Sequence, residues 1–432
     1  MSANTSNINN NIIERNVSFV LNVITSSDAI IDVTGDVLDI DIDYDINGFP
    51  HGTLLLNDID NNIFYNYNIT QGDALILVLS SGTSENLSIT KGFIINSIKP
   101  LSKDIKIANA HNKYKISFMS AILYHNMLTT ISRGYPGSIT TSNVVTDILT
   151  KDFLYEKESL KDILKSNTIL DDYIITYRKP LDELNFLKKI SSGDVEKDIF
   201  MFYEDHYGVK FLPLDMLLKQ IPKYKVNKDV NPSLTETGIP IIRVLTEKFE
   251  SGINISNTIN TGGIWNRCIH FDRDTKEIIE KTYTFDEDFL NQITTLGSNA
   301  NITKKNVLDC VQPNLNIIRE DGKYGEKLSY YNMRINMLNN YVYKITTNGM
   351  LDISLGHILY VNFLLKDSLL NTSLSGGWLV SHIKWKISNR DKSNKSNSYP
   401  TFKMDITLMK DTFNISDNTS LLSTNQNVNT TT

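Results

Sequence analysis

The chain opens with apolar residues at every second position. Val17, Phe19, Leu21 and Val23 alternate with polar neighbours, as do Ile40, Ile42, Tyr44 and Ile46, and then Ile63, Tyr65, Tyr67 and Ile69. A period of two puts each set on one face of a pleated strand. Gly48-Phe49-Pro50, Gly72-Asp73 and Gly82-Thr83 punctuate the strands. Many short strands at this spacing predict a small barrel or sandwich over residues 16–127, after a flexible start at residues 1–15.

The period then lengthens. Thr141 or Ser142 can cap a helix with Val144, Val145, Ile148 and Leu149 on one face, and Pro180 can open a second carrying Leu181, Leu184, Leu187 and Ile190. These define a helical insertion over residues 128–196. A hairpin follows, Ile199-Phe200-Met201-Phe202-Tyr203 turning through His206-Tyr207-Gly208 into Val209-Lys210-Phe211-Leu212. A hairpin needs further strands to be stable. Those resume at Tyr341–Ile345, His357–Val361, Trp378–Ile387 and Phe402–Met409. The expectation is a second, discontinuous β-domain, residues 197–230 plus 335–415, interrupted by a mixed α/β insertion over 231–334. Ser329–Leu338, near the close of that stretch, reads as a helix. Residues 416–432 are polar and low in complexity, the composition of a disordered tail.

An internal repeat links the two β-regions. Gln71-Gly72-Asp73-Ala74-Leu75-Ile76-Leu77-Val78 matches Leu355-Gly356-His357-Ile358-Leu359-Tyr360-Val361. Gly92-Phe93-Ile94-Ile95 matches Gly377-Trp378-Leu379-Val380, and Tyr114–Phe118 matches Phe402–Ile406. Three matched elements in one order predict two copies of one β-domain. The fold class is therefore α+β and β-dominated: two barrel domains made by duplication, with helical and mixed insertions.

Composition narrows the function. Lys+Arg 43 against Asp+Glu 49 gives a net charge of -6, the wrong sign for gripping a phosphate backbone. The first residues lack a basic start and an apolar stretch, and no apolar run could span a bilayer, so neither secretion by a signal peptide nor membrane insertion is expected. Cys268 and Cys310 are the only cysteines; they exclude a disulfide scaffold and read as two buried thiols.

The sequence lacks a phosphate-binding Gly-x-x-x-x-Gly-Lys-Ser/Thr, a Gly-x-Gly-x-x-Gly, a His-Glu-x-x-His and a Gly-x-Ser-x-Gly. Its densest polar feature is Asp39-Ile40-Asp41-Ile42-Asp43-Tyr44-Asp45-Ile46-Asn47-Gly48. From Asp43 onward this imitates a calcium loop, but Leu54 stands where the bidentate Glu belongs. A two-faced strand is the better reading. Its acidic face of Asp39, Asp41, Asp43 and Asp45 suits water or a channel rather than a core, because like charges in a row repel. No catalytic residue, cofactor or metal is expected.

The order of elements resembles the central baseplate hub proteins of contractile-tailed phages, the T-even-like myovirus type. The resemblance rests on the helix Thr141–Phe153, on Asp172-Tyr173-Ile174-Ile175 leading into Pro180–Leu187, on the hairpin, and on the closing strands from Gly356 through Gly377-Trp378 to Met409. It implies two tail-tube-like barrels per chain and a homotrimer forming a pseudo-sixfold ring. The implied partners are a trimeric cell-puncturing spike, the tail tube and other baseplate proteins, with DNA passing through the lumen without specific binding. The implied place is the tail baseplate of a virion assembled in the host bacterial cytoplasm. Asp39, Asp41, Asp43 and Asp45 are the candidate lumen lining. A cell-wall hydrolase with carboxylates within Val230–Arg334, and a receptor- or glycan-binding tail protein, are the alternatives.

Overall fold

The computed structural model describes residues 17–58, 66–81, 87–101, 112–195, 197–227, 239–251, 263, 265–271, 275–284, 289, 292–297, 314–317, 324–363, 374–389 and 400–412. The expected flexible start, the expected disordered tail, Gly82-Thr83 and Cys310 lie outside these residues.

The first part of the chain supplies β1 (Val17–Ile24), β2 (Ile30–Asp32), β3 (Val37–Asp45), β4 (His51–Asp58), β5 (Ala74–Ser81), β6 (Ser88–Pro100) and β7 (Asn112–Met119). A mixed layer follows: α1 (Ala121–Leu128), β8 (Ile131–Thr140), α2 (Thr141–Lys151), β9 (Ile169–Arg178) and α3 (Pro180–Ile190). Next come the hairpin β10 (Phe200–Glu204) and β11 (Val209–Pro213), the short α4 (Leu214–Leu218), and strands β12 (Tyr224–Asn227) and β13 (Ile241–Ser251). A separate three-stranded sheet holds β14 (Trp265–Phe271), β15 (Ile278–Thr284) and β16 (Asn314–Ile317). The chain then forms α5 (Gly325–Leu338), β17 (Tyr341–Asn348), β18 (Ile358–Val361), β19 (Gly376–Ser388) and β20 (Thr401–Lys410).

Thirteen of these strands form one sheet in the order β18-β12-β13-β17-β20-β19-β3-β4-β7-β6-β5-β1-β2. Because β18 also pairs with β19, the strands β18, β12, β13, β17, β20 and β19 close into a six-stranded barrel. The first half closes differently. No ladder joins β1 to β3; the Val33 N–H donates to the Leu21 carbonyl at 3.0 Å, and the Leu21 N–H to Thr34 Oγ1 at 2.8 Å. Alternation makes the core: Leu21, Ile42, Leu54, Leu77, Phe93 and Ile116 from the first half join Ile345, Trp378, Trp385 and Met404 from the second in one continuous buried cluster.

The halves share more than composition. The orders β5-β6-β7-β4-β3 and β18-β19-β20-β17-β13 correspond strand for strand, all antiparallel. Gly72 and Gly356 both take positive φ, +94° and +78°, a region that glycine alone enters without strain. The Gly72 N–H donates to the Ile95 carbonyl and the Gly356 N–H to the Val380 carbonyl, each at 2.9 Å. The side chains of Asp73 and His357 then accept from the N–H of Thr70 and Ser354. Bulges recur at matching places, after Ile95 and Val380 in the long strands and after Val37 and Val244 in β3 and β13. A bulge kinks and twists a strand, so its recurrence at equivalent positions is structural, not an accident of alternation.

Four expectations need correction. The third repeat element is displaced by two residues: pairing from the matched bulges sets Phe118 against Leu408, not Ile406. The hairpin β10-β11 is not a barrel strand pair but its own two-stranded sheet. Its place in the barrel belongs to β12 and β13, the latter drawn from the stretch expected to be an insertion. The alternation running to Ile69 does not give a strand over the residues described there: 66–70 form turn and coil, with Asn68 at positive φ, while residues 59–65 lie outside the description. Finally, the α2 cap is Thr140, whose side chain accepts the Asn143 N–H.

The hairpin sits between layers. Ile199, Met201 and Tyr203 face the barrel core, whereas Phe200, Phe202 and Phe211 join Val144, Ile148, Leu184 and Leu187 of α2 and α3 in a second core. No helix among the described residues is long and apolar enough to cross a membrane.

Candidate functional site

The two halves meet where β3 pairs with β19, from His382↔Asp45 to Ser388↔Asp39. The inward residues Ile40, Ile42 and Tyr44 are buried, so the period of two forces Asp39, Asp41, Asp43 and Asp45 onto the opposite face. The structure thus brings all four carboxylates to one polar face at the centre of the arc β13-β17-β20-β19-β3-β4-β7-β6.

They do not form an uncompensated anionic row. Lys384 Nζ lies 3.6 Å from both Asp41 and Asp43, His382 Nε2 is 3.4 Å from Asp43, and Ser388 Oγ donates to Asp39 at 2.7 Å. Asp45 accepts the Asn47 N–H at 2.7 Å and fixes the turn into Gly48. Partial burial works to raise the Asp43 carboxyl, but the hydrogen bond with His382 and the charges of Lys384, His382 and His51 outweigh it and hold the group below its ordinary value. Farther along, Lys386 pairs with Asp405 at 2.5 Å and Thr346 donates to the same carboxylate. Glu250 on β13 pairs with Lys248 and Lys344 at 2.7 and 3.0 Å. The polar face is mixed in sign, and the residues set against the aspartates, Lys384 first among them, come from β19, remote in sequence. No local pattern around Asp39–Asp45 could have revealed them.

Behind the joint lies a buried polar knot that sequence reasoning missed. Lys91 of β6 pairs with Glu204 at 2.6 Å and donates to the Asp205 carbonyl at 2.9 Å. Ser120 also donates to Glu204, and Ser354 to Asp205. The hairpin turn therefore ties to the first half through Lys91 and Ser120 and to the second through Ser354. His206, in the same turn, packs against Tyr44 and Trp385 with centroids 6.0 and 5.1 Å away. Burial, with Lys91 nearby, lowers the His206 pKa to about 3, so the ring is neutral at neutral pH.

A cavity of about 530 Å³ is lined by Asp198, Asp215, Asp194, Lys165 and Gly193 among others. Burial and the Asp215 charge raise the Asp198 carboxyl to about 7. Two carboxyl groups side by side could suit acid–base work, but both are engaged. Asp198 accepts the Asp215 N–H at 3.1 Å, while Asp215 pairs with the fully buried Arg334 at 3.3 Å and accepts both N–H and Oγ of Thr294. They brace backbone across α4 and α5. Among the described residues no cluster of His, Cys, Asp or Glu could hold a metal. Cys268 is buried, 3.2 Å from Ser329 Oγ.

No family profile and no curated protein matches the sequence. Solved structures do match by fold. The tail protein from Neisseria meningitidis MC58 is 10% identical with TM-score 0.54, covering 91% of this chain and 97% of that one. The 43 kDa tail protein of prophage MuSo2 from Shewanella oneidensis is also 10% identical, with TM-score 0.52, covering 91% and 98%. Along nearly its whole described length, this chain has the fold of phage tail proteins.

Proposed function

We propose that the chain is a structural, non-enzymatic component of a virion tail: a ring-forming baseplate hub that adapts a threefold spike to a sixfold tube. The observation that carries this reading is the internal equivalence of β3-β4-β7-β6 and β13-β17-β20-β19, joined edge to edge within one chain. Three copies would present six similar units while keeping true threefold symmetry. The fold shared with phage tail proteins supports the tail role, and the resemblance noted in the sequence supports a trimeric spike, tail tube and other baseplate proteins as partners.

In this reading the polar face with Asp39, Asp41, Asp43 and Asp45 lines the passage. Net charge -6 and lysines already held by carboxylates leave little free cation to grip a phosphate backbone, so DNA slides through without specific binding. The engagement of Asp198 and Asp215 removes the described carboxylate pair best placed to favour hydrolysis.

Electron microscopy of the purified chain tests the proposal. Class averages showing closed threefold rings with six similar lobes support it. Twofold particles, open filaments or isolated chains at every concentration overturn it.

A further inference from the structure

Tyr44 of β3, Trp385 of β19 and His206 of the hairpin turn are 1%, 0% and 5% exposed. Their rings form a triangle, with Tyr44 and His206 centroids 5.0 and 5.1 Å from that of Trp385 and 6.0 Å from each other. Tyr44 Oη, Trp385 Nε1 and His206 Nε2 are all buried, and none has a hydrogen-bond partner among the described residues. A buried polar atom left in that condition is costly and rare. Here three occur side by side, one from the first half of the sheet, one from the second and one from the hairpin between the cores.

The chemistry of the three atoms selects what can sit between them. An indole N–H only donates. Burial, with the Glu204 and Asp205 charges nearby, holds the Tyr44 hydroxyl well above its ordinary value, so it keeps a proton to donate. The neutral His206 ring is hydrogen-bonded to the Leu351 carbonyl. A carbonyl only accepts, and Nε2 is unpartnered, so the proton sits on Nδ1 and Nε2 offers a lone pair. The site therefore presents two donors and one acceptor. A halide ion would satisfy the donors but would face the His206 lone pair and the same two carboxylates. A cation would meet two donor hydrogens and the Lys91 charge that already opposes protonation of His206. A water molecule accepts two bonds and donates a third, the usual complement of a buried water.

We infer that one structural water is bound at this triangle, accepting from Tyr44 Oη and Trp385 Nε1 and donating to His206 Nε2. It fastens the hairpin turn to both sides of the β3–β19 joint at once. The Lys91, Ser120 and Ser354 contacts hold the same turn through Glu204 and Asp205, and the water extends that knot to the next residue. The site belongs to the single chain and does not depend on assembly between copies.

A high-resolution crystal structure of the full chain, grown with sodium bromide in place of chloride, tests both the place and the identity. The expected result is a solvent peak within hydrogen-bond distance, about 2.7–3.2 Å, of all three atoms and without anomalous bromide signal. Bromide in the triangle, no peak there, or a direct bond from Tyr44 Oη to His206 Nε2 overturns the inference. Solution NMR on chain labelled with ¹⁵N at the indole nitrogens supplies the second readout. The Trp385 Nε1–H resonance, assigned by its loss in Trp385→Phe, should show cross-relaxation with a long-lived water. His206→Phe, which removes the acceptor and keeps a ring, should abolish that peak while leaving the resonance of Trp378, whose Nε1–H donates to the Leu374 carbonyl, in place. A water peak absent from the wild-type chain, or one unchanged in His206→Phe, overturns the assignment.

Discussion

Asp43 and Lys384 face each other across β3 and β19, with Lys384 Nζ 3.6 Å from Asp43 Oδ2, and so hold together the only ladder that connects the two halves of the described sheet. Both are about a quarter to a third exposed, which limits the strength of the pair. Reversal should still matter, because Lys384→Glu would face Asp41 and Asp43 together. The expected cost is about 1 kcal/mol, a fall of roughly 1 °C in Tm for a chain of this length. Asp43→Lys combined with Lys384→Glu should recover most of it by thermal denaturation. Recovery no better than the sum of the single variants would show that the pair does not contribute to the joint.

The repeated turn makes a second prediction. Alanine at Gly72 or Gly356 must adopt positive φ, costing roughly 1–2 kcal/mol. At Gly356 a Cβ would also stand 2.7 Å from Tyr203 Oη and 3.2 Å from a Leu217 methyl, whereas at Gly72 its nearest neighbour is the Tyr124 hydroxyl at 3.2 Å. Thermal denaturation should rank Gly356→Ala below Gly72→Ala, and both below wild type. Equal, negligible effects would mean that the two turns are not held as described.

These glycines also explain what the sequence made legible. A positive-φ glycine cannot be exchanged freely, so Gly72 and Gly356 stand out as landmarks of the duplication; Gly92 and Gly377, within β6 and β19, mark a second equivalent pair without that constraint. The third match slipped by two residues because a strand's period is two: Phe118 aligns as well with Ile406 as with its true counterpart Leu408. β13 escaped notice because it lies at an edge. Ile242 and Val244 are buried, but beyond the bulge its inward positions carry Glu247 and Phe249, so the alternation of aliphatics stops mid-strand. The hairpin misled for the opposite reason. Phe200–Glu204 is buried on both faces between two cores, which gives a strand rich enough in apolar residues to pass for a barrel element. The acidic strand was visible, but its partners Lys384, His382 and Ser388 come from the far end of the chain.

Buried histidines give a pH prediction. Burial lowers His206 to about 3 and His357 to about 4, the latter also opposed by the Lys223 charge. Both would titrate near 6.5 when unfolded. Between those values the unfolded chain binds protons that the folded chain refuses, so the share of stability that depends on these two neutral rings is full above about pH 6.5 and falls as the pH drops toward 4. Asp198, whose raised carboxyl works in the opposite sense, partly offsets that fall. At pH 5 the loss is about 2 kcal/mol for each ring. Denaturant unfolding at pH 7 and pH 5 should show the decline, and His206→Phe, which keeps an aromatic ring against Tyr44 and Trp385, should lessen it. An unchanged pH slope in that variant would remove His206 from the explanation.

Self-assembly into a threefold ring is the claim on which the functional reading turns, and light scattering across a range of concentration and salt measures it on the unmodified chain. The prediction is a particle of three times the single-chain mass, or a monomer converting to that mass as concentration rises. A strictly monomeric protein at every concentration, or a dimer, would contradict it.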